Sequence, residues 1–565
     1  MELTPEQQRL TELMTENEKL KADLKKLQAK KSGLFIHEQP EEVELDVYEK
    51  GKLPVLKRIS DKDVVCGGKD HLLIEGDNLH TLMALQITHR NKVDVIYIDP
   101  PYNTGNKDFK YNDRFVDKED NWRHNKWLSF MSRRLRLARE LMSDSGVIFI
   151  SIDDNEQAQL KLLCDDIFGE DNFVACCAVV NNLKGRNDAK YFKTAHEYLL
   201  VYSKTEKFKI GCLELTQEEE NEYNLEDTNG KYKIGRILRK TGDSQYKEDR
   251  PNLYFPIYVD KENNVYFESA EGREEIFPKA PDGKDSRWTW SKEKVKNEIG
   301  ELIAKRTKNN VNFYIKQRLN DNRGIYLKSF LYDAEYSTGS GVNSLKKIGI
   351  SFNAPKSVKF IKDLFKVGGN ENAIILDFFA GSGTTGQAVL ELNKEDGGNR
   401  QFILATNNEN NICEEITRER MKRIMEGYTN SKKESVAGLG NNLRYFKTDF
   451  VQNSNSDTQL RLNLMDGYGD MICVGENVFS LVKETACYKI FENDNKTVAF
   501  VKSDKNLNGL VDHFKQAKGK KKVYKFELED AKDPDFEELF DGVEGVKFFG
   551  ISSIIRSYIR LMRRK

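Results

Sequence analysis

The 565-residue chain balances 90 Lys and Arg against 91 Asp and Glu, and its 38% hydrophobic and 32% charged content is ordinary for a soluble globular protein. It is too long for one core and implies roughly three or four domains. Eight cysteines without a CxxC pair indicate neither a disulfide framework nor a zinc site; with no membrane-length apolar run and no signal-peptide apolar region, the chain is expected in the cytoplasm, without a membrane or a metal.

Residues 1–40 are charged and helix-prone. Leu10, Leu13, Asn17, Leu20, Leu24 and Leu27 alternate spacings of three and four, as the a and d positions of a short coiled coil do, with Asn17 fixing register. A lone helix docked on its own protein fits so short a stripe equally well. Ser32-Gly33 ends the helix.

Residues 41–204 read as alternating strands and helices. HLLIEGDNLHTLMAL gives a strand, an acidic turn at Glu75-Gly76-Asp77 and a helix. VDVIYIDPPYNTG, 93–105, follows. Its β-branched and aromatic run carries the single charge Asp94 and predicts a buried strand of a parallel sheet. Two prolines cannot donate to a sheet ladder, so Asp99-Pro100-Pro101-Tyr102 must leave the strand's carboxyl end as a stiff loop, at the edge where ligands sit in open α/β sheets. A carboxylate and the Pro100 carbonyl at fixed separation can accept hydrogen bonds from one exocyclic amine, while Tyr102 offers a ring for a planar base. A structural turn closing a strand is the plain alternative. Next, 127–142 has apolar residues at helical spacing with Arg133, Arg134, Arg136 and Arg139 interleaved, expected as a solvated face. GVIFISID and AHEYLLVYSK are further strands, the latter opening with His196.

Residues 205–340 change character, mixing basic, aromatic and glycine residues without a βαβ rhythm. Arg236, Arg239, Lys240 and Arg250 can contact phosphates, and Tyr246, Trp288 and Trp290 can pack or stack. Residues 341–430 return to α/β rhythm. Asn353-Ala354-Pro355-Lys356-Ser357 precedes an amphipathic helix. AIILDFFAGSGTTGQAVL then runs an apolar strand into Asp377, a turn with Gly381 and Gly383, and a helix from Thr384. Glycines there allow close ligand approach and positive φ, and a helix N-terminus presents free N–H groups. Gly381, Gly383 and Gly386 also satisfy GxGxxG, so spacing alone leaves a dinucleotide cofactor open.

The residues around those glycines narrow the choice. Asp377 and Phe379 give the frame DxFxGxG, which resembles the S-adenosylmethionine motif of methyltransferases. DPPYNTGNKDFKYNDRF resembles the modification (Mod) subunits of Type III restriction–modification systems, in the order of the β class of amino-group DNA methyltransferases. The resemblance covers about residues 70–430. It implies a Rossmann-like α/β sheet binding S-adenosylmethionine, interrupted at 205–340 by a target recognition domain, with 41–204 and 341–430 as its two halves. It further implies that Asp99 and the Pro100 carbonyl hold a base amine ahead of Pro101, and that Tyr102 stacks on the flipped base. Asp377, Phe379, Gly381 and Gly383 would hold the cofactor, with Lys356 and Ser357 facing its methionine carboxylate. His196 either lines the base pocket, as a similar HEY segment does in the family, or is a core histidine. The ribose ligand stays open, because Thr406, Asn407 and Asn408 intervene before Glu409.

Residues 431–565, with the runs KTVAFVK and KKVYKFELE and the last segment ISSIIRSYIRLMRRK, read as a small α/β domain; dimerisation or contact with a restriction subunit follows there from the resemblance alone. The expected activity is transfer of a methyl group to adenine N6 in duplex DNA. Adenine is preferred to cytosine N4 on the Asp at the first motif position. A DNA-binding protein of this fold without turnover, and a dinucleotide enzyme, are the other readings.

Overall fold

The computed structural model describes residues 41–43, 47, 52–112, 114–185, 191–307, 310–320, 324–430, 432–452, 469–525 and 534–550. The N-terminal leucine stripe and the last segment, 551–565, lie outside the described residues. The chain divides into two compact units, 1–211 with 328–565, and 212–327.

The larger unit is built on an eleven-stranded sheet. In chain order its main elements are β1 (Lys52–Arg58), β2 (Asp70–Glu75), α1 (Asn78–Thr88), β3 (Val93–Ile98), α2 (Arg123–Leu141), β4 (Met142–Ile152), α3 (Gln157–Phe168), β5 (Phe173–Val180), β6 (His196–Ser203), β7 (Phe330–Leu331), α4 (Val358–Gly368), β8 (Ile374–Asp377), α5 (Thr384–Asp396), β9 (Gln401–Thr406) and β10 (Asn442–Gln452). The spatial order is β1-β10-β2-β9-β8-β3-β4-β6-β5-β7, and the eleventh strand, Val64–Val65, pairs with β10 off this path. From β10 to β4 every pairing is parallel, and the inner strands are apolar on both faces because helices cover both. Val93, Val95, Ile96 and Ile98 are wholly buried. Asp94 is the exception, and it has a task. Its carboxylate accepts from Ser143 Oγ at 3.0 Å and from the Ile374 N–H at 2.9 Å, satisfying the first N–H of β8.

Two topological facts place the site. β3 and β8 are neighbours in register, Ile375 opposite Val95 and Leu376 opposite Ile96, so Asp99 and Asp377 emerge from adjacent carboxyl ends. β6 runs antiparallel to β4, with Tyr198 opposite Ile152, so its amino end delivers His196 and Glu197 to that same edge.

Three expectations need revision here. Arg134 is not on a solvated face: it is fully buried, donates from Nη1 and Nη2 to Glu41 at 2.8 and 3.1 Å and from Nε to Asn78 Oδ1 at 2.5 Å, and its guanidinium lies 3.6 Å from the Phe130 ring centroid. α2 thus presents one of its arginines inward, because Glu41 supplies the anion that a buried guanidinium requires. Arg136 behaves as expected, half-exposed and paired with Asp166. The boundary at 430 also moves, since β10 is a full member of the eleven-stranded sheet between β1 and β2. Beyond it, Ser480–Glu484, Tyr488–Asn493, Lys496–Val501, Lys520–Lys525 and Val546–Gly550 form a separate five-stranded mixed sheet, which contains the runs KTVAFV and KKVYK.

The insert is narrower than 205–340. Its unit, 212–327, is built on antiparallel strands: Leu225–Asp227, Gly230–Ile237, Val311–Arg318 and Leu302–Arg306 in one sheet, with three short strands in another. Trp288, Trp290, Phe255 and Phe313 form its core, and the Trp288 Nε1–H donates to the Phe255 carbonyl at 2.8 Å. Both tryptophans therefore pack rather than stack on a ligand.

The Asn78 that Arg134 holds donates in turn to the Phe378 carbonyl at 3.1 Å, so the buried pair braces the strand end carrying Asp377. Arg134→Met leaves Glu41 with Arg133 at 3.8 Å and is expected to cost about 3 kcal/mol, read as a lower urea midpoint; an unchanged midpoint would show the pair to be dispensable.

Candidate active site

The Asp99–Tyr102 loop closes on three other groups. The Tyr102 hydroxyl stands 2.8 Å from Asp99 Oδ1 and 3.1 Å from Glu197 Oε2, sharing its proton between two carboxylates. The Lys356 ammonium donates to Tyr102 Oη at 2.7 Å and to Glu197 Oε1 at 2.5 Å, and lies 3.3 Å from Asp99 Oδ1. Asn181 Nδ2 donates to Glu197 Oε2 at 3.1 Å. From behind, the Trp127 indole N–H on α2 donates to the Pro101 carbonyl at 2.7 Å, while Pro100 is buried. The proline loop is thus fixed on both sides.

Burial raises the Asp99 carboxyl above its ordinary value, the Lys356 ammonium pulls it back and the Glu197 carboxylate pushes it up again. For Lys356 burial acts to lower the value, and the Asp99 and Glu197 carboxylates outweigh it, so the ammonium is held more firmly than usual. Two carboxylates share one cation.

On the adjacent strand end, Asp377 accepts from Thr385 Oγ1 at 2.6 Å and from the Phe379 N–H at 3.0 Å. Burial pushes its carboxyl up to about 7 against these two donors, with Asp99 adding to the rise. Phe379 packs at 6.0 Å from Phe130. Gly381 and Gly383 take φ of +48° and +78°, backbone that a side chain resists, and Gly383 caps α5. A Cβ at Gly381 would sit in ordinary van der Waals contact with Phe352 Cζ at 3.7 Å and the Phe379 carbonyl at 3.8 Å, so it is the positive φ that favours glycine there. The turn is braced behind: Thr417 Oγ1 donates to the Gly381 carbonyl at 2.6 Å, and buried Arg420 donates to the Ser382 carbonyl at 3.0 Å and to Gln387 Oε1 at 2.7 Å.

The remaining expected residues fall as follows. Lys356, set by the resemblance toward a cofactor carboxylate, turns its ammonium to Asp99, Tyr102 and Glu197, because a buried cation goes to the nearest anions. Ser357 caps α4, accepting from the Phe360 N–H at 3.3 Å and donating to the Glu335 carbonyl at 2.6 Å. His196 is half-buried with its ring edge-on to Tyr198 at 5.1 Å. The residue of the HEY segment that reaches Tyr102 is Glu197, which sequence reasoning missed; a lone charge in the apolar strand HEYLLVYS was the signal. Glu409 pairs with Lys110, and Glu75 accepts from Tyr445 and Lys447. In the insert, Arg236 is exposed on Gly230–Ile237, Arg239 donates to the Lys240 carbonyl at 3.2 Å, and the Lys240 N–H donates to the Arg287 carbonyl at 2.9 Å.

This arrangement can be compared with known proteins. A family model described as DNA methylase matches residues 93–426, which span the proline loop, the insert and the glycine turn. The chain belongs to the DNA methylase family. Among its curated relatives, the EcoPI Mod subunit of a Type III restriction–modification enzyme of Escherichia phage P1 is 33% identical over 490 residues, 79% of this chain and 74% of that one. The Type II methyltransferase M.KpnI of Klebsiella pneumoniae is 36% identical over 337 residues, 59% of this chain and 79% of its own. A solved M1.HpyAVI–SAM complex aligns over 62% of this chain and 98% of its own, with 16% identity and a TM-score of 0.29.

Because Lys356 is the largest influence lowering Asp99 against burial, ahead of the Tyr102 hydrogen bond, Lys356→Met is expected to move the acid limb of the methylase's pH profile upward by about one unit or more. The sign follows from the charge: without the cation the neutral acid persists to higher pH. An unmoved limb would separate Asp99 from the rate.

Proposed function

We propose that this methylase transfers a methyl group from S-adenosylmethionine to the N6 amine of an adenine in duplex DNA, as the Mod subunit of a Type III system acting in the cytoplasm. The observation that carries the reading is the adjacency of two unlike strand ends, the Asp99–Tyr102 loop after β3 and the positive-φ glycine turn after β8. A base amine and a cofactor held at neighbouring strand ends would meet.

The left-handed turn at Gly381 and Gly383 and the first N–H groups of α5 suit a nucleoside-bearing cofactor. Asp377, Phe379, Gly381 and Gly383 would hold it, with Ser357 at a neighbouring helix start. When bound, S-adenosylmethionine supplies an electrophilic methyl on a sulfonium. The protein's task is orientation. An amine conjugated into its ring is a poor nucleophile, and accepting its N–H bonds on Asp99 and the Pro100 carbonyl aims its lone pair. An ammonium already stands 3.3 Å from Asp99 Oδ1, so this carboxylate faces an N–H donor. The base must leave the duplex at a cost of a few kcal/mol, partly offset by stacking on Tyr102. Adenine is chosen over cytosine on the Asp of the proline loop, and Type III names among the relatives support the Mod assignment. A restriction subunit would be the protein partner. A homodimer is inferred through the C-terminal segment. The insert would read the target, with Arg236, Arg239 and Lys240 on phosphates and His196 near the base.

Asp99→Ala is expected to lower methyl transfer by more than about 100-fold while leaving calorimetric affinity for S-adenosylmethionine largely intact; labelled-methyl incorporation near the wild-type rate would overturn the assignment. Replacing 212–327 with a relative's insert should change the methylated site but not the methylated base, as read by single-molecule sequencing. Removing the charges of Arg236, Arg239 and Lys240 should weaken binding to all duplexes alike and reduce the salt slope by about 1 for each phosphate no longer neutralised.

A further inference from the structure

Behind the proline loop lies a polar cluster that the reaction as described does not use. Immediately after Tyr102 the chain turns at Asn103, which has φ of +56° and is buried. Its Nδ2 donates to Glu156 Oε1 at 2.5 Å and to the Arg123 carbonyl at 3.3 Å. Glu156 is wholly buried, between β4 and the first turn of α3. His124 on α2 places Nδ1 2.7 Å from that same Oε1, while its Nε2 accepts from Arg123 Nε at 3.2 Å.

The protons can be assigned by accounting. Since Nε2 accepts, His124 is the neutral tautomer with its hydrogen on Nδ1, and that hydrogen goes to Glu156 Oε1. Oε1 therefore receives two N–H donors. Glu156 Oε2 and Asn103 Oδ1 are both buried and have no donor. Left so, each would cost about 1–3 kcal/mol. One proton on Oε2, donated to Asn103 Oδ1, would satisfy both and, with the Nδ2–H to Oε1 contact, would close a two-bond acid–amide pair.

We infer that Glu156 is a neutral carboxylic acid that clamps the Asn103 amide and so positions the Asp99–Tyr102 loop for transfer. The part concerning transfer rests on the function proposed above; the protonation does not. Burial raises this carboxyl to about 8, against the Asn103 hydrogen bond and Arg123, with Asp153 adding to the rise. The groups facing it are Arg123 and His124 from α2 and Asp153 from the turn after β4, and His124 itself is held below its ordinary value by burial and Arg123. The folded state keeps a proton that the unfolded chain loses above about 4.5, so this group's contribution to stability falls as pH rises from about 4.5 to about 8 and is level beyond. Above about 8 the O–H donor is gone and a carboxylate oxygen faces the Asn103 carbonyl, which loosens the loop.

Glu156→Gln is the decisive variant, because its amide reproduces the neutral acid, with Oε1 accepting and Nε2–H donating to Asn103 Oδ1. Wild type is expected to lose methyl transfer as pH rises through about 8, more than 10-fold overall, and Glu156→Gln to restore the rate on the alkaline side while matching wild type at neutral pH. Glu156→Ala should lose more than 10-fold at every pH. Infrared difference spectra of the full-length protein provide a readout independent of activity: a protonated-carboxyl C=O band that persists in wild type above the range of Asp377, fades through about 8, and is absent from Glu156→Gln. Absence of that band in wild type, a Gln variant as impaired as the Ala variant, or superimposable pH profiles for wild type and Gln would each overturn the inference. Wild type with the band but with no methylation of any duplex would instead overturn the proposed function.

Discussion

The site depends on one ammonium placed between two carboxylates. Lys356 stands among Asp99, Tyr102 and Glu197, and those groups come from the end of β3, the antiparallel start of β6 and the approach to α4. Two carboxylates at one sheet edge without a cation would be strongly unfavourable, and the cluster gains further hydrogen bonds from Tyr102 to Asp99 Oδ1 and from Asn181 to Glu197. Under the proposed function, a substrate amine that takes Asp99 Oδ1 would compete with the Lys356 ammonium already beside it.

Around this centre, buried charge is used repeatedly to fix loops rather than to add net stability. Arg134 holds Asn78, which holds the Phe378 carbonyl. Arg420, with burial lowering it to about 9, reaches the carbonyl and hydroxyl groups of the glycine turn. Asp94 satisfies the first N–H of β8. In each case a side chain on one element meets a backbone group on another that secondary structure leaves unpaired, and the two strand ends acquire fixed positions. A cluster with neutral Glu156 would extend the same device to the far side of the proline loop.

The insert leaves the sheet after β6 and returns before β7, which pairs with β5 at the sheet's edge. An interruption there disturbs no inner parallel strand. The insert's own tryptophan-centred core lets it fold around apolar side chains of its own, consistent with its forming a separate compact unit.

The sequence by itself determined the parallel sheet, the strand stop at Asp99 and the glycine turn, because apolar runs, two prolines and glycines at 381 and 383 act through local sterics and hydrogen-bonding capacity. It also marked the insert, where βα rhythm stops. Pairings that join distant segments were not legible. Glu197 and Lys356 are 159 residues apart and Arg134 and Glu41 are 93 apart, and nothing in a single sequence says which buried charges find each other. The strand β10, far beyond the second motif, could be assigned to the catalytic sheet only from its pairing with β1 and β2. Side-chain periodicity reports that a strand is buried, whereas its neighbours are chosen by the packing of the whole sheet.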